Sequence, residues 1–93
     1  MELNDFQTAI TTTYGERDRE SGVVSAVAWL AEEVGELAQA VRKGSLAEQR
    51  HEVGDVLAWL ASLAAQLGVD LGDAASRFAD GCPRCSSTPC ACP

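Results

Sequence analysis

The sequence has few aromatic residues and little positive charge. Phe, Trp and Tyr make up 5% of its 93 residues while 46% are hydrophobic, a composition that suits helices packed through Ala and Leu better than a β-sheet. Fourteen acidic residues against seven basic ones give a net charge of −7. A partner that is a nucleic-acid polymer or an anionic membrane would require a basic patch instead. We therefore expect neither as a partner.

Long apolar runs are also absent. No uninterrupted apolar stretch has the length of about twenty residues that a membrane span requires. The acidic start of the chain is followed by no apolar segment of the kind found in signal peptides. These two absences predict a cytoplasmic protein without a membrane partner.

Cysteine is missing from the first 81 residues, and all four cysteines lie in the last twelve, at Cys82, Cys85, Cys90 and Cys92. A Cys₄ zinc knot is one interpretation, because thiolates are preferred zinc ligands, the first pair has CxxC spacing and cytosolic cysteines more often bind metal than form bridges. The second pair has CxC spacing, and four residues separate the pairs. Disulfides and a disordered reactive tail are therefore the alternatives.

The length of the chain fits one domain with a thin core, for which association between subunits is a natural supplement. We assign a helical domain to residues 1–80 and a Cys-rich tail to residues 81–93. The predicted fold class is all-α. It consists of an antiparallel helical hairpin plus short flanking helices, of the four-helix-bundle type completed by oligomerisation.

Apolar spacing predicts a short helix over residues 3–13 and a long one over residues 23–43. The polar stretch between them, residues 14–22, contains two glycines and is predicted to be a loop. Arg42 and Lys43 lie in the last turn of the long helix, where positive charge interacts favourably with the helix dipole. The residues of its expected apolar stripe are Val23, Val27, Leu30, Val34, Leu37 and Val41.

A second long helix is predicted over residues 46–67. Ser45 and Glu48 have the spacing of a capping box at its start, and Gly68 follows its end. A last short helix is expected within residues 70–80. The short turn between the two long helices predicts that they form an antiparallel hairpin.

Carboxylates are concentrated in the most apolar segments of the chain. Residues three or four apart share a helix face, so antiparallel packing would bring acids of both long helices to one point. An unpaired buried charge costs on the order of several kcal/mol, and no cluster of Lys or Arg is at hand to compensate these acids. The acids concerned are Glu32, Glu33, Glu36, Glu52 and Asp55.

An all-oxygen donor set suits a hard divalent cation, Mg²⁺ first and Mn²⁺ second. A solvated acidic face is the alternative, because Glu usually lies at surfaces. A glycine also lies between the acids of each helix, Gly35 in the first and Gly54 in the second. Glycine lowers helix stability by about 1 kcal/mol relative to Ala. Close approach of a neighbouring helix would explain that cost. The lone His51 points about 100° away from Glu52 on a helix, so we expect it to be exposed.

The segments Glu32-Glu33-Val34-Gly35-Glu36 and Glu52-Val53-Gly54-Asp55 resemble the EExxE and ExxD halves of the signature of MazG-like, all-α nucleoside triphosphate pyrophosphohydrolases. The paired motif is specific, whereas neither half would be. The similarity extends over most of the chain. It includes Tyr14-Gly15-Glu16-Arg17-Asp18, Trp29-Leu30, Asp55-Val56-Leu57-Ala58-Trp59-Leu60 and Leu67-Gly68-Val69-Asp70-Leu71.

The resemblance implies Mg²⁺-dependent hydrolysis of a nucleoside triphosphate between the α- and β-phosphates, with a monophosphate and pyrophosphate as products. By position, Glu32 matches the residue proposed to orient or deprotonate the attacking water. The positions that match the metal ligands are Glu33, Glu36, Glu52 and Asp55. Members of the family assemble as dimers or dimers of dimers, so the resemblance also implies a homodimer or homotetramer.

Three arginines are candidates for contacts with the substrate phosphates: Arg17, Arg19 and Arg77. A solvated surface position is the ordinary alternative for each of them. An alternative also exists for the whole chain. It could be a non-catalytic helical module for oligomerisation or metal binding, with the Cys-rich tail as a contact for a partner.

Overall fold

The computed structural model describes all 93 residues and contains helices but no strand, so the predicted all-α class is confirmed. Helix α1 comprises Leu3–Lys43, α2 comprises Leu46–Gln66 and α3 comprises Leu71–Ala75. A single 3₁₀ turn, Ser76–Phe78, continues α3. No single helix is long and apolar enough to cross a membrane; α2 and the stretch from α3 to the 3₁₀ turn pass that test only as a pair bent by 108°.

The predicted loop over residues 14–22 is wrong, because the chain stays helical up to Gly22. Gly22 alone leaves the helical conformation, with φ 87° and ψ 168°, and divides α1 into residues 3–21 and 23–43. These angles belong to a region that only glycine adopts without strain. Residues 14–21 stay helical through contacts with α2: the Ser62 hydroxyl donates to Asp18 Oδ2 over 2.5 Å. Tertiary packing therefore overrides the weak local helix signal.

Residues 23–43 of α1 and helix α2 form the predicted hairpin across Gly44 and Ser45. The capping box is present, since Ser45 Oγ accepts from the Glu48 N–H over 3.2 Å and the Ser45 N–H donates to Glu48 Oε1 over 3.3 Å. One turn further along, Gln49 Nε2 donates to the Ala40 carbonyl over 3.2 Å. The two helices therefore run antiparallel from the turn onward.

The core is small and lies where residues 3–21 of α1 meet the end of α2. Ala61, Ala64 and Leu71 are buried there, and partly buried residues pack against them, namely Leu3, Phe6 and Ile10.

Gln7 fixes the connection from α2 to α3. This buried side chain donates through Nε2 to the Val69 carbonyl and accepts through Oε1 from the Leu71 N–H, both over 2.9 Å. Asn4 similarly accepts from the Gly72 N–H over 2.8 Å. Two amide side chains therefore tie the N-terminal turn of α1 to the start of α3.

The expected stripe of the first long helix is only partly covered. Leu30 and Leu37 are half-buried, whereas Val27, Val34 and Val41 are between 48% and 64% exposed. The fully buried residues of this segment are Ala26 and Ala40, which lie beside the stripe. Small residues thus make the contact within the hairpin, and the valines remain on its surface.

We predict that Gly22→Ala lowers the free energy of unfolding by about 1–3 kcal/mol, because it forces a side chain into a glycine conformation. Gly35→Ala is the matched control. Nothing lies within 4 Å of a Cβ added at Gly35, so alanine there should raise stability by up to about 1 kcal/mol. Urea unfolding followed by circular dichroism measures both changes. Equal effects of the two substitutions would contradict the assignment of the break to Gly22.

A candidate metal centre between two helices

Acidic side chains from both helices of the hairpin converge at one level. Carboxylate oxygens of Glu33, Glu36 and Glu52 lie within 4.8 Å of one another. Asp55 lies one turn further along α2 and groups with Glu52 and His51 at the same separation. The antiparallel register set at the capping box produces this convergence, because residues three apart on each helix then face the partner helix.

Two of these oxygens are buried without any hydrogen-bond donor, Glu33 Oε2 and Glu52 Oε2. The lone ion pair in the structure joins His51 Nε2 to Asp55 Oδ2 over 3.3 Å, and His51 is itself exposed as expected. No Lys or Arg pairs with these carboxylates. Buried polar atoms normally have partners, so the unpartnered oxygens are free to bind a cation.

The crowding of these acids changes their protonation. Burial and repulsion from Glu36, with smaller contributions from Asp55 and Glu52, raise the pKa of Glu33 to about 7. Burial, followed by repulsion from Glu36 and Asp55, also raises the pKa of Glu52, although His51 acts in the opposite direction. A cation bound among them would remove the repulsion and hold both groups ionised.

The residues present fit a hard divalent cation. Oxygen ligands at short mutual distances are the donor set of Mg²⁺ and Mn²⁺, and His and Cys donors are absent from the Glu33, Glu36 and Glu52 group. The two unpartnered buried oxygens come one from each helix. An ion at this point would therefore join α1 to α2.

Glu32 is exposed and is not one of the acids whose oxygens converge. It is adjacent to Glu33 in sequence, so it projects about 100° away around the helix axis. Its predicted role with the attacking water remains a prediction. Gly35 and Gly54 also face open space, with nothing within 4 Å of an added Cβ, so the close helix approach expected at them does not occur within one chain.

Two tryptophans, one from each helix of the hairpin, meet beside the acidic side chains. The rings of Trp29 and Trp59 stack with centroids 5.8 Å apart and planes 12° from parallel. They line a groove together with Glu33 and Arg17. The spacing of residues within one helix does not indicate which rings on different helices meet, so the sequence did not reveal this contact.

The three candidate phosphate-binding arginines lie in different surroundings. Arg17 lines the groove that contains Glu33 and an adjoining one that contains Asp55. Arg19 lines a different cavity, between the two parts of α1 and the end of α2. Arg77 is exposed and lies over the ring of Phe78, with Cζ 4.9 Å from the ring centroid. Among the three, Arg17 is the one beside the acidic cluster.

The sulfur atoms of Cys82, Cys85, Cys90 and Cys92 also converge, within 4.8 Å of one another, and all four cysteines are free. The tail is folded around them: the Cys82 N–H donates to the Ser87 carbonyl over 3.0 Å. The chain therefore contains a second cluster of metal-binding groups outside its helices.

Comparison with protein families identifies the helical part of the chain. The model of the MazG nucleotide pyrophosphohydrolase domain matches residues 22–84, more than half of the 93 residues. The chain belongs to this family of nucleotide pyrophosphohydrolases, which are metal-dependent and act on nucleoside triphosphates. No curated protein matches the chain significantly.

We predict that the metal-free protein loses stability as the pH rises from about 5 to 8. Glu33 has a pKa of about 7 in the folded chain and an ordinary value of 4.5, so between these values the folded state binds the additional proton. Stability must then fall as that proton is lost. Urea unfolding in a chelator at several pH values measures this slope.

Glu33→Gln should flatten that slope, because glutamine does not titrate, and it should stabilise the metal-free protein at pH 8. The matched control is Glu32→Gln, which removes an exposed carboxylate from the adjacent position and should leave the slope unchanged. The same slope in wild type and in Glu33→Gln would contradict a shared, crowded acidic site.

Proposed function

We propose that the protein is a Mg²⁺-dependent nucleoside triphosphate pyrophosphohydrolase that converts a (d)NTP and water into the (d)NMP and pyrophosphate. The observation that carries this proposal is the pair of buried, unpartnered oxygens contributed by Glu33 on α1 and Glu52 on α2. Membership of the MazG family supports the reaction class. A cytoplasmic location, where nucleotides are available, belongs to the same proposal.

The proposed metal ligands are Glu33 and Glu36 from α1 with Glu52 and Asp55 from α2. Their oxygens form two groups that share Glu52, one with Glu33 and Glu36 and the other with Asp55 and His51. Mg²⁺ bound there would neutralise charge on the phosphate oxygens of the substrate and of the leaving pyrophosphate; Mn²⁺ is the alternative ion. The buried alanines of the hairpin, Ala26 and Ala40 among them, bring the two helices to the spacing that the site requires.

Glu32 is the proposed residue that orients or deprotonates the attacking water. A general base must reach water and the substrate while remaining ionised. Glu32 is exposed, which leaves it accessible to bulk water, and it is fixed by α1 next to a proposed ligand. Its role is therefore separable from metal binding.

The groove beside the acids supplies the remaining contacts in this proposal. Arg17 carries the positive charge next to Asp55 and Glu33, where it can pair with a substrate phosphate. The stacked rings of Trp29 and Trp59 line the same groove and offer an aromatic surface to a nucleobase. A net charge of −7 favours a small nucleotide over a nucleic-acid polymer as the substrate.

We predict that Glu33→Gln and Asp55→Asn lower the rate of pyrophosphate release at least about 100-fold, because several kcal/mol of charge stabilisation is lost with the ion. Glu32→Gln should lower the rate by a factor of about 10²–10⁴ while Mg²⁺ binding by calorimetry is retained. The assay follows pyrophosphate from a panel of canonical and modified (d)NTPs with and without Mg²⁺.

Glu20→Gln is the matched control, since it removes an exposed carboxylate from α1 outside the cluster and should keep the wild-type rate. If the folded protein cleaves no nucleotide in the panel, the alternative applies: a non-catalytic helical module for oligomerisation or metal binding, whose tail contacts a partner. Wild-type turnover in Glu33→Gln would contradict the proposed ligand set.

Association of identical chains also belongs to the proposal, as a homodimer or homotetramer. The exposed valines of α1 recur at seven-residue intervals, at Val27, Val34 and Val41. The same interval separates exposed apolar residues of α2 and the residue just after its end, which are 41% to 81% exposed: Leu46, Val53, Leu60 and Leu67. A seven-residue apolar repeat is the pattern of helices that pack against further helices. A second hairpin would cover these stripes and complete a four-helix bundle.

We predict that Leu60→Glu converts the assembly into monomers, because it places a charge in the apolar stripe of α2. Ala28→Glu is the matched control. Ala28 is exposed and projects about 100° away from Val27 around α1, so its substitution should leave the assembly intact. Size-exclusion chromatography with light scattering gives the masses. A wild-type protein that is monomeric at all concentrations would contradict the proposed association.

A further inference from the structure

The cysteine cluster of the tail has no part in the proposed reaction. The family match ends at residue 84, so it includes Cys82 and excludes Cys85, Cys90 and Cys92. The helices and the 3₁₀ turn end before the cluster begins. A compact arrangement of four thiols at this point therefore requires its own explanation.

The distances between the sulfur atoms are those of a tetrahedral thiolate site. Cys82 Sγ lies 3.7 Å from Cys92 Sγ, and Cys85 Sγ lies 4.0 Å from Cys90 Sγ. With Zn–S bonds of about 2.3 Å, the corners of a regular tetrahedron are about 3.8 Å apart. Each close contact joins one cysteine of the first pair to one of the second, so the short loop between the pairs brings all four sulfurs around one centre.

The backbone of the tail holds this arrangement without an apolar core. The Cys82 N–H donates to the Ser87 carbonyl over 3.0 Å, and the Ser86 N–H donates to the Cys82 carbonyl over 2.7 Å. Gly81 has φ 101°, and an added Cβ would lie 2.6 Å from Thr88 Oγ1. Glycine is therefore required at this position, where the start of the tail lies against the loop between the two cysteine pairs.

Two backbone N–H groups point at sulfur atoms of the cluster. The Ala91 N–H donates to Cys85 Sγ over 3.3 Å, and the Cys92 N–H donates to Cys90 Sγ over 3.4 Å. Donors of this kind stabilise negative charge on a thiolate and orient it as a ligand. Such stabilisation matters here, because four thiolates around one divalent ion carry a net charge of −2.

We propose that Cys82, Cys85, Cys90 and Cys92 form a structural zinc site that folds residues 81–93 into a knot attached to the helical domain. All four positions around the ion are taken by protein ligands, as in structural rather than catalytic zinc sites. The tail has little apolar surface to bury, so metal binding supplies the free energy that holds it folded.

The site is tested on the full chain, produced in zinc-supplemented medium and purified without chelator. Elemental analysis should find about one zinc per chain, and Cys85→Ser or Cys90→Ser should lower that content at least about tenfold. Arg84→Ala, an exposed substitution between two of the ligands, is the matched control and should retain the zinc. Glu52→Gln is the second control, because zinc held by the acidic cluster would be lost in that variant instead.

Cobalt provides a second readout that does not depend on zinc content. The reduced, metal-free chain titrated with Co²⁺ should develop the charge-transfer absorption of thiolate ligands and the visible bands of tetrahedral cobalt, with a plateau at one equivalent. Circular dichroism should show the same helix content in all variants, because the cysteines lie outside the helices. The site would be overturned if the wild type contained no metal and gave no thiolate–cobalt absorption. Zinc retained in both serine variants would also overturn it, as would disulfides that persist under cytosolic reducing conditions.

Discussion

The crowding of carboxylates between α1 and α2 is the constraint on which this structure depends. A hairpin held by alanine contacts could dispense with acids at its interface, yet Glu33 and Glu52 each bury an oxygen that nothing partners. Burial and repulsion from Glu36 accordingly raise the pKa of Glu33 to about 7. Proteins retain such unfavourable groups where function requires them. The interface of the hairpin is therefore also its candidate reactive centre.

Two further features follow from the same hairpin. The alanines that bring the helices together leave the larger apolar residues exposed in seven-residue repeats, so a single chain is incompletely covered. The break at Gly22 separates residues 3–21, which pack against α2 and α3, from the hairpin, and Arg17 of this segment lines the groove that contains Glu33. The core at Ala61 and Leu71 stabilises that packing. The metal ligands, the groove and the unpartnered surface thus all result from the packing of the two segments of α1 against α2.

Local signals in the sequence were sufficient for much of this architecture. The capping box at Ser45, the hairpin and the grouping of acids all depend on residues three or four apart, which periodicity reveals. Contacts between residues far apart in the sequence could not be predicted from this periodicity. Residues 14–21 are helical in a segment where Ser62 of another helix donates a hydrogen bond to Asp18, and the two stacked tryptophans belong to different helices. The residue that covers a given surface cannot be inferred from the spacing within one helix.

Anomalous scattering from a crystal soaked with Mn²⁺ would show directly whether the two helices share an ion. We expect a peak between the helices, about 2.0–2.2 Å from carboxylate oxygens of both α1 and α2, with Glu33 and Glu52 among the ligands. A soaked crystal with no peak there, or with manganese bound by the acids of one helix alone, would contradict it.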